Sequence, residues 1–208
     1  IQVQAATVIL GSQNLVAVLG IVTAVGSMIS MALCPLLIKK LNERNAYILL
    51  SVYGFAASVF SFVIGHFWFQ SPKNMVLTVL FYASLFLNGL QFGAVTLMPM
   101  IMTADTVDYY EHETGKRMEG ACYSILTLTI KVCLALGTAV GLIFVQKSGY
   151  YESLSAGTFT TKTKDIIFFA YTALPGILAL LSIVPMFKYD IVGEKKAKIS
   201  SDLASRRK

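Results

Sequence analysis

Residues 120–145 read GACYSILTLTIKVCLALGTAVGLIFV, a run with one charged side chain, Lys131. As an α-helix the run is about 39 Å long, enough to cross a hydrocarbon core of about 30 Å. A lysine near its middle costs about 2.5–3.5 kcal/mol on insertion scales unless it faces water or a partner. Steps of three and four residues place Gly120, Ser124, Thr127, Lys131, Ala135 and Thr138 on one small or polar face of a mostly apolar helix. That face is predicted to line a cavity, with Ser124, Thr127 and Lys131 as its chemistry.

The same pattern recurs outward in both directions. Apolar runs cover about Gln13–Ile38, Ala46–Phe69, Met75–Thr103 and Ile166–Phe187, separated by polar segments at 39–45, 70–74, 104–119 and 146–165. Hydrophobic residues make up 56% of the 208 and charged residues 13%, where soluble domains carry about 25% charged. Mean hydropathy is +0.69. The reading is an all-α, polytopic transmembrane bundle. Ile1–Leu10 would extend only about 15 Å before the turn Gly11-Ser12, so the chain is expected to enter partway through a helix, giving six membrane segments. No signal-peptide pattern opens it. Cys34, Cys122 and Cys133 each sit within an apolar run and read as small packing residues, without disulfide or metal spacing.

Alternating the connections between two sides gathers Lys39, Lys40, Arg44, Lys116, Arg117 and seven bases after Phe187 on one side, against Lys73, Lys147, Lys162 and Lys164 on the other. Cytoplasmic loops collect Lys and Arg, so the first side is expected in the cytosol. The expected organisation is a bundle over 1–187 and a basic cytoplasmic tail over 188–208, in a multi-pass protein of the cell membrane. The tail reads as a solvated orientation signal able to touch anionic lipid. Topology accounts for the net charge of +6, which is no argument for nucleic acid. The patch His66-Phe67-Trp68-Phe69 reads as a headgroup-level anchor rather than a metal site, and 146–165 as a connector.

Other polar positions have two readings. Ser84, Asn88 and Gln91 share a helix face and either line a cavity or bond helices together. Pro99 frees the carbonyl of Val95 and predicts a bend. Ser51, Gly54, Ser58, Ser61 and Gly65 form a small-residue stripe for close packing, and Gly89-x-x-x-Gly93 and Gly137-x-x-x-Gly141 read the same way. Residues 105–119 hold Asp105, Asp108, Glu111, Glu113, Glu119, Lys116 and Arg117. They lack the alternating ligands and central glycine of a calcium loop, and no nucleophile or pocket accompanies them. An ion-pair gate clamping two helix ends, drawn from Asp105, Asp108, Glu111, Lys116 and Arg117, fits better than catalysis. No enzyme activity, metal or cofactor is expected.

The run Ala104-Asp105-Thr106-Val107-Asp108-Tyr109, followed by Glu111, Thr114-Gly115, Arg117, Glu119-Gly120 and Tyr123-Ser124, resembles the segment before the eleventh helix of the glycoside-pentoside-hexuronide:cation symporters, a family of the major facilitator superfamily. Pro35 to Lys40 and Arg44 resemble the end of its eighth helix. The resemblance implies a twelve-helix transporter in two six-helix bundles, of which this chain supplies the C-terminal half, partial helix 7 to helix 12. It implies alternating-access transport of a sugar or glycoside with Na⁺, H⁺ or Li⁺, the cation held mainly by an N-terminal half that is also the chief partner besides membrane lipid. Lys131 matches the family's intramembrane lysine. Leu97 stands where an aromatic residue stacks on sugar in a family member, a departure bearing on substrate identity. Asn88 and Gln91 complete the candidate substrate-binding set. The rival expectations are a lipid or other solute transporter on the same fold, or a membrane scaffold.

Overall fold

The computed structural model describes residues 1–10, 16–71 and 74–206. The expected turn Gly11-Ser12, the first residues of the Gln13 run, Lys73 and the last two tail bases lie outside them. The elements are α1 (Gln2–Leu10), α2 (Val16–Gln70), α3 (Met75–Thr114), α4 (Glu119–Lys147), α5 (Tyr150–Ser155), α6 (Thr161–Phe168), a π-helical turn (Phe169–Ala173), α7 (Leu174–Leu181), α8 (Ile183–Met186) and α9 (Gly193–Arg206). Among the described residues there is no strand. Among the described residues four stretches are long and apolar enough to cross a membrane: Val16–Gln70, Met75–Thr114, Glu119–Lys147 and Thr161–Met186.

The longest of these is two passes. Asn42 interrupts α2 with φ +64° and ψ 162°, a left-handed φ with an extended ψ that is costly for any residue with a side chain and that breaks the helix at this one position. The two arms then run back side by side, because Leu19 and Trp68, near opposite ends of α2, share a buried cluster with Phe81, while Cys34 and Tyr47, flanking Asn42, share another with Met98. The loop expected at 39–45 is therefore a one-residue break. α3 lies along both arms. Added Cβ atoms on Gly89 and Gly93 would overlap the backbone carbonyls of Thr23 and Ser27, so that pair of glycines sets a close crossing with the first arm. The stripe from Ser51 to Gly65 is buried throughout and meets Gln91, Asn88, Gly176 and Phe168 in turn. Gly137 differs from its expected packing role, since nothing among the described residues lies within 4 Å of the position its Cβ would take.

Two segments expected as loops are helical. α3 continues through Asp105, Asp108 and Glu111 to Thr114, where Gly115 at φ +71° ends it and donates its N–H to the Glu111 carbonyl at 2.9 Å. A 40-residue helix is about 60 Å long, so its charged last turns project beyond the hydrocarbon. Segment 146–165 contains α5 and the start of α6, capped by the Thr160 hydroxyl, which accepts from the Thr163 N–H at 3.3 Å. The last pass runs through the π turn just before Pro175 and a one-residue turn at Ser182 between α7 and α8. Proline lacks an N–H and crowds the carbonyl four residues back, which a widened turn relieves.

Trp68 of the His66-Phe67-Trp68-Phe69 patch is turned inward, onto the bundle. It stacks on Phe81 at 4.8 Å between centroids and donates Nε1–H to the Thr78 hydroxyl at 2.9 Å, while Phe67 beside it is 54% exposed. His66 takes part in a polar pair, its Nδ1 2.9 Å from an Asp165 oxygen. The helix surfaces carry exposed Ile21, Met28, Val76, Phe92, Leu134 and Val184, the distribution of a chain whose solvent is lipid or another helical body. α4 is the least covered long helix, burying only Gly141 and Val145.

Candidate functional site

The α4 stripe expected from the sequence bounds an open groove of about 400 Å³, lined by Gly120, Tyr123, Ser124, Thr127, Leu128 and Lys131. Lys131 lies twelve residues after Glu119, about 18 Å along the helix. Thr127 donates its hydroxyl proton to the Tyr123 carbonyl at 2.8 Å. Lys131 makes no ion pair with any described carboxylate, and a Cβ on Gly120 would also meet nothing within 4 Å among the described residues. The helix thus presents one cation and two hydroxyls, at membrane depth, on a side that no described element covers. Such a surface can hold polyol hydroxyls or an anionic group while excluding apolar solutes.

Asn88 and Gln91 do not join that groove. They line a second cavity of about 400 Å³ with Gln2, Thr23 and Tyr171. The Asn88 amide is largely consumed in packing: its oxygen accepts from Ser58 Oγ at 3.0 Å, and its nitrogen donates to the Ser84 carbonyl at 3.1 Å, the Ala57 carbonyl at 3.3 Å and Ser61 Oγ. Gln91 lies over Gly54, where any Cβ would collide with it. Both sequence readings of these amides therefore apply at once, interhelical bonding and cavity lining, in a place apart from Lys131.

Asp105, Asp108 and Glu111 of α3 sort into two networks at the end of the bundle marked by Asn42 and Gly115. Arg117 bridges α3 to α4 across the short turn: Nη1 donates to Glu111 Oε2 at 2.8 Å and Asp108 Oδ1 at 3.2 Å, and Nε to Glu119 Oε2 at 3.2 Å. The hydrogen bonds it donates to Glu111 and Glu119 hold the guanidinium more firmly protonated than usual. Lys116 stands aside; its backbone N–H meets the Thr114 hydroxyl at 3.3 Å, and no ion pair holds its ammonium among the described residues.

Asp105 belongs to the other network. Lys196 on α9 donates to Glu43 at 2.6 Å and Asp105 at 2.8 Å, two carboxylates whose side chains are only 7% and 9% exposed. The Tyr189 hydroxyl also donates to Asp105 at 3.4 Å. Burial raises the Asp105 carboxyl above its ordinary range, with Lys196 pulling part of the way back. For Lys196 burial pulls downward, and the bonds and charges of Asp105 and Glu43 overcome it, leaving the ammonium above its ordinary value. Tyr189 is driven further above its usual range by burial and by the Asp105 and Glu43 charges.

Contrary to the expectation of a solvated tail, α9 is docked. Ile191, Ile199 and Leu203 bury against Tyr109 and Tyr189, Asp202 meets His112 Nε2 at 3.1 Å, and Arg206 donates to the His112 carbonyl at 3.1 Å. Reading the tail as a row of charges hid this. Lys196, Ile199 and Leu203 fall on one face at helical spacing, the signal that would have revealed an amphipathic helix. Glu43, one residue past the break at Asn42, carried no sequence signal of its own. Among the described residues no group of three or more His, Cys, Asp and Glu could hold a metal ion.

The chain is 25% identical over 210 residues to a putative sulfoquinovose importer of Escherichia coli strain K12, covering 100% of this chain and 42% of that protein. It is 24% identical to the glucuronide carrier protein homolog of the same organism, over 88% of this chain and 38% of that one. The inner membrane symporter YicJ, also from E. coli K12, is 30% identical over 61% of this chain and 27% of its own length. The chain thus spans about 40% of the length of the first two of these curated relatives. No solved structure matches it significantly. The relatives are named as carriers and symporters, in keeping with the resemblance to the glycoside-pentoside-hexuronide symporters. With four long apolar stretches, a polar groove at membrane depth and a match over residues 5–193, the chain is a multi-pass membrane protein that belongs to the MFS/sugar transport protein family.

Proposed function

We propose that this chain forms one half of a secondary active transporter that moves a sugar or glycoside together with a monovalent cation by alternating access. The observation that carries the reading is the Lys131 groove: a cation with Ser124 and Thr127, at membrane depth, on the uncovered side of α4. A second bundle facing it would close a central cavity around a polar solute. Among the relatives are a glucuronide carrier homolog and a putative 2,3-dihydroxypropane-1-sulfonate exporter; one lysine beside hydroxyls suits an anionic, hydroxylated solute of that chemistry.

The coupling cation, Na⁺, H⁺ or Li⁺, is assigned chiefly to the facing half. All 11 acidic residues of this chain lie at or beyond the ends of its apolar stretches, so no carboxylate here sits at the depth of Lys131. The basic end with Asn42, Gly115 and α9 is placed in the cytosol and the protein in the cell membrane, on the excess of Lys and Arg at that end. The Arg117 network is read as part of a cytosolic gate.

The test is uptake of labelled glycoside by vesicles containing the full-length protein or its Lys131→Leu variant. Lys131→Leu is expected to insert and express normally and to lose accumulation. Normal accumulation by a normally expressed variant would refute the assignment.

A further inference from the structure

Apart from the Lys131 and Asn88 cavities, a groove of about 700 Å³ lies between the two arms of α2 and α3. Its walls are Leu33, Leu36 and Leu37 from the first arm, Leu49 and Leu50 from the second, and Leu87 and Leu90 from α3. Several of these are open to the surroundings, Leu33 at 53%, Leu36 at 57% and Leu49 at 50%. Tyr53 lies along the wall and spends its hydroxyl proton on the Leu87 carbonyl at 3.1 Å, so its ring is presented as an apolar surface. From Ser30 to Lys40, the lining positions furthest apart on the first arm, the groove runs about 15 Å along the helix. One end is therefore chemically unlike the rest, because Lys40 is the only charged residue of the lining.

The surroundings of that end strengthen its charge. Lys39 and Lys40 are exposed and Arg44 is half-buried just past the break. Among the described residues none of the three takes part in an ion pair with a carboxylate, and the adjacent carboxylate, Glu43, is already engaged by Lys196. We infer that this groove is a binding site for an anionic phospholipid, with an acyl chain along the leucine walls and the headgroup phosphate against Lys40, supported by Lys39 and Arg44. A zwitterionic lipid fills the same walls but gains less at the basic end, since each Lys or Arg near an anionic membrane surface contributes about fivefold in binding. The site is independent of the transported solute and lies away from Lys131.

Native mass spectrometry of the full-length transporter, released from detergent with equal phosphatidylglycerol and phosphatidylethanolamine of matched chains, tests it. The unaltered protein is expected to retain phosphatidylglycerol with at least a fivefold preference. In Lys39→Gln/Lys40→Gln the preference falls to near unity while phosphatidylethanolamine retention stays; Lys39→Arg/Lys40→Arg keeps the preference. Leu36→Trp, which fills the groove without changing charge, reduces retention of both lipids. The proposal is overturned by an unchanged preference in the glutamine variant, by equal loss of both lipids in it, or by undiminished retention in Leu36→Trp. A cysteine at Leu36 that crosslinks in high yield to the other half of the transporter, rather than to a photoreactive phosphatidylglycerol, overturns it too, because the groove is then an interface within the protein. Elution as a monodisperse species checks that each variant is folded.

Discussion

Replacing Lys196 by Met keeps an unbranched apolar stem and removes the one ammonium between Glu43 and Asp105. Removing one partner of a fully buried ion pair costs about 3–5 kcal/mol, because the remaining charge has no compensation. Here the carboxylate side chains are 7% and 9% exposed, but that of Lys196 is 37% exposed, and solvent screening brings the expected cost down to about 2 kcal/mol. The whole bundle need not bear that cost. Release of α9 opens both carboxylates to water, so the loss appears as undocking of residues 193–206, with the apolar contacts of Ile199 and Leu203 left to oppose it alone. About 2 kcal/mol corresponds to a roughly 30-fold shift in the docked population. Hydrogen–deuterium exchange of the full-length protein in detergent reads this directly: amides of α9 should lose about 30-fold protection in Lys196→Met while those of α3 before Thr103 stay unchanged. Adding Glu43→Gln and Asp105→Asn should restore much of it, since a neutral, hydrogen-bonded set is often as stable as the ion pair it replaces. Equal α9 protection in the single variant and the unaltered protein would refute the assignment of the dock to this ion set.

Acidification should tighten the dock. Asp105 is raised in the docked state, so protonating it favours docking as pH falls from above its raised value toward its ordinary one, and Lys196, also raised, loses its contribution only above the ordinary lysine range; α9 protection that rises at mildly acidic pH and becomes flat in Asp105→Asn is the expected pattern, and a fall through that window in the unaltered protein contradicts it. Arg117→Gln should open the link between α3 and α4 and shift the transporter toward inward-facing forms, seen as increased labelling of cysteines on the cytosolic side of the cavity, whereas an unchanged inward-to-outward labelling ratio would make the network a simple connector. Gly93→Ala should push the first arm of α2 away from α3, because its Cβ overlaps the Ser27 carbonyl, and lower stability by about 1–3 kcal/mol; an unchanged melting temperature would show that the crossing yields at little cost.

Apolar run length made the five passes visible in the sequence, since a run near 20 residues is a strong signal wherever its neighbours are charged. The Lys131 face was visible for the same reason: a cation at that depth has few permitted surroundings. Less visible was anything that depends on what a helix does after it leaves the hydrocarbon. Asp105, Asp108 and Glu111 looked like loop residues because they are charged, yet spacings of three keep them on a helix that water tolerates well. Trp68 was read from its ring chemistry, which fits both a headgroup layer and a core; Phe81 and Thr78, thirteen and ten residues later, decide between them. The pairing of Glu43 with Lys196 spans 153 residues and carries no local pattern. Asn88 was ambiguous from the start, and the ambiguity was physical, because an amide can bond two helices and border a cavity with the same atoms.

The π turn at Phe169–Ala173 acts on the last pass as a change of phase. Phe168 fills the space at Gly65, and Gly176 admits Ser58, so both must point at the same stripe of α2. Their separation of eight residues would leave them about 80° apart around an uninterrupted α-helix, whereas Ser58 and Gly65, seven apart, differ by only about 20°. A π turn takes up one residue without advancing the helix face, so the separation behaves as seven and the two contacts fall back into line. The turn beside Pro175 is thus the geometric counterpart of a one-residue insertion, absorbed within the helix so that everything beyond it, through α8 toward the docked tail, keeps its orientation to the bundle.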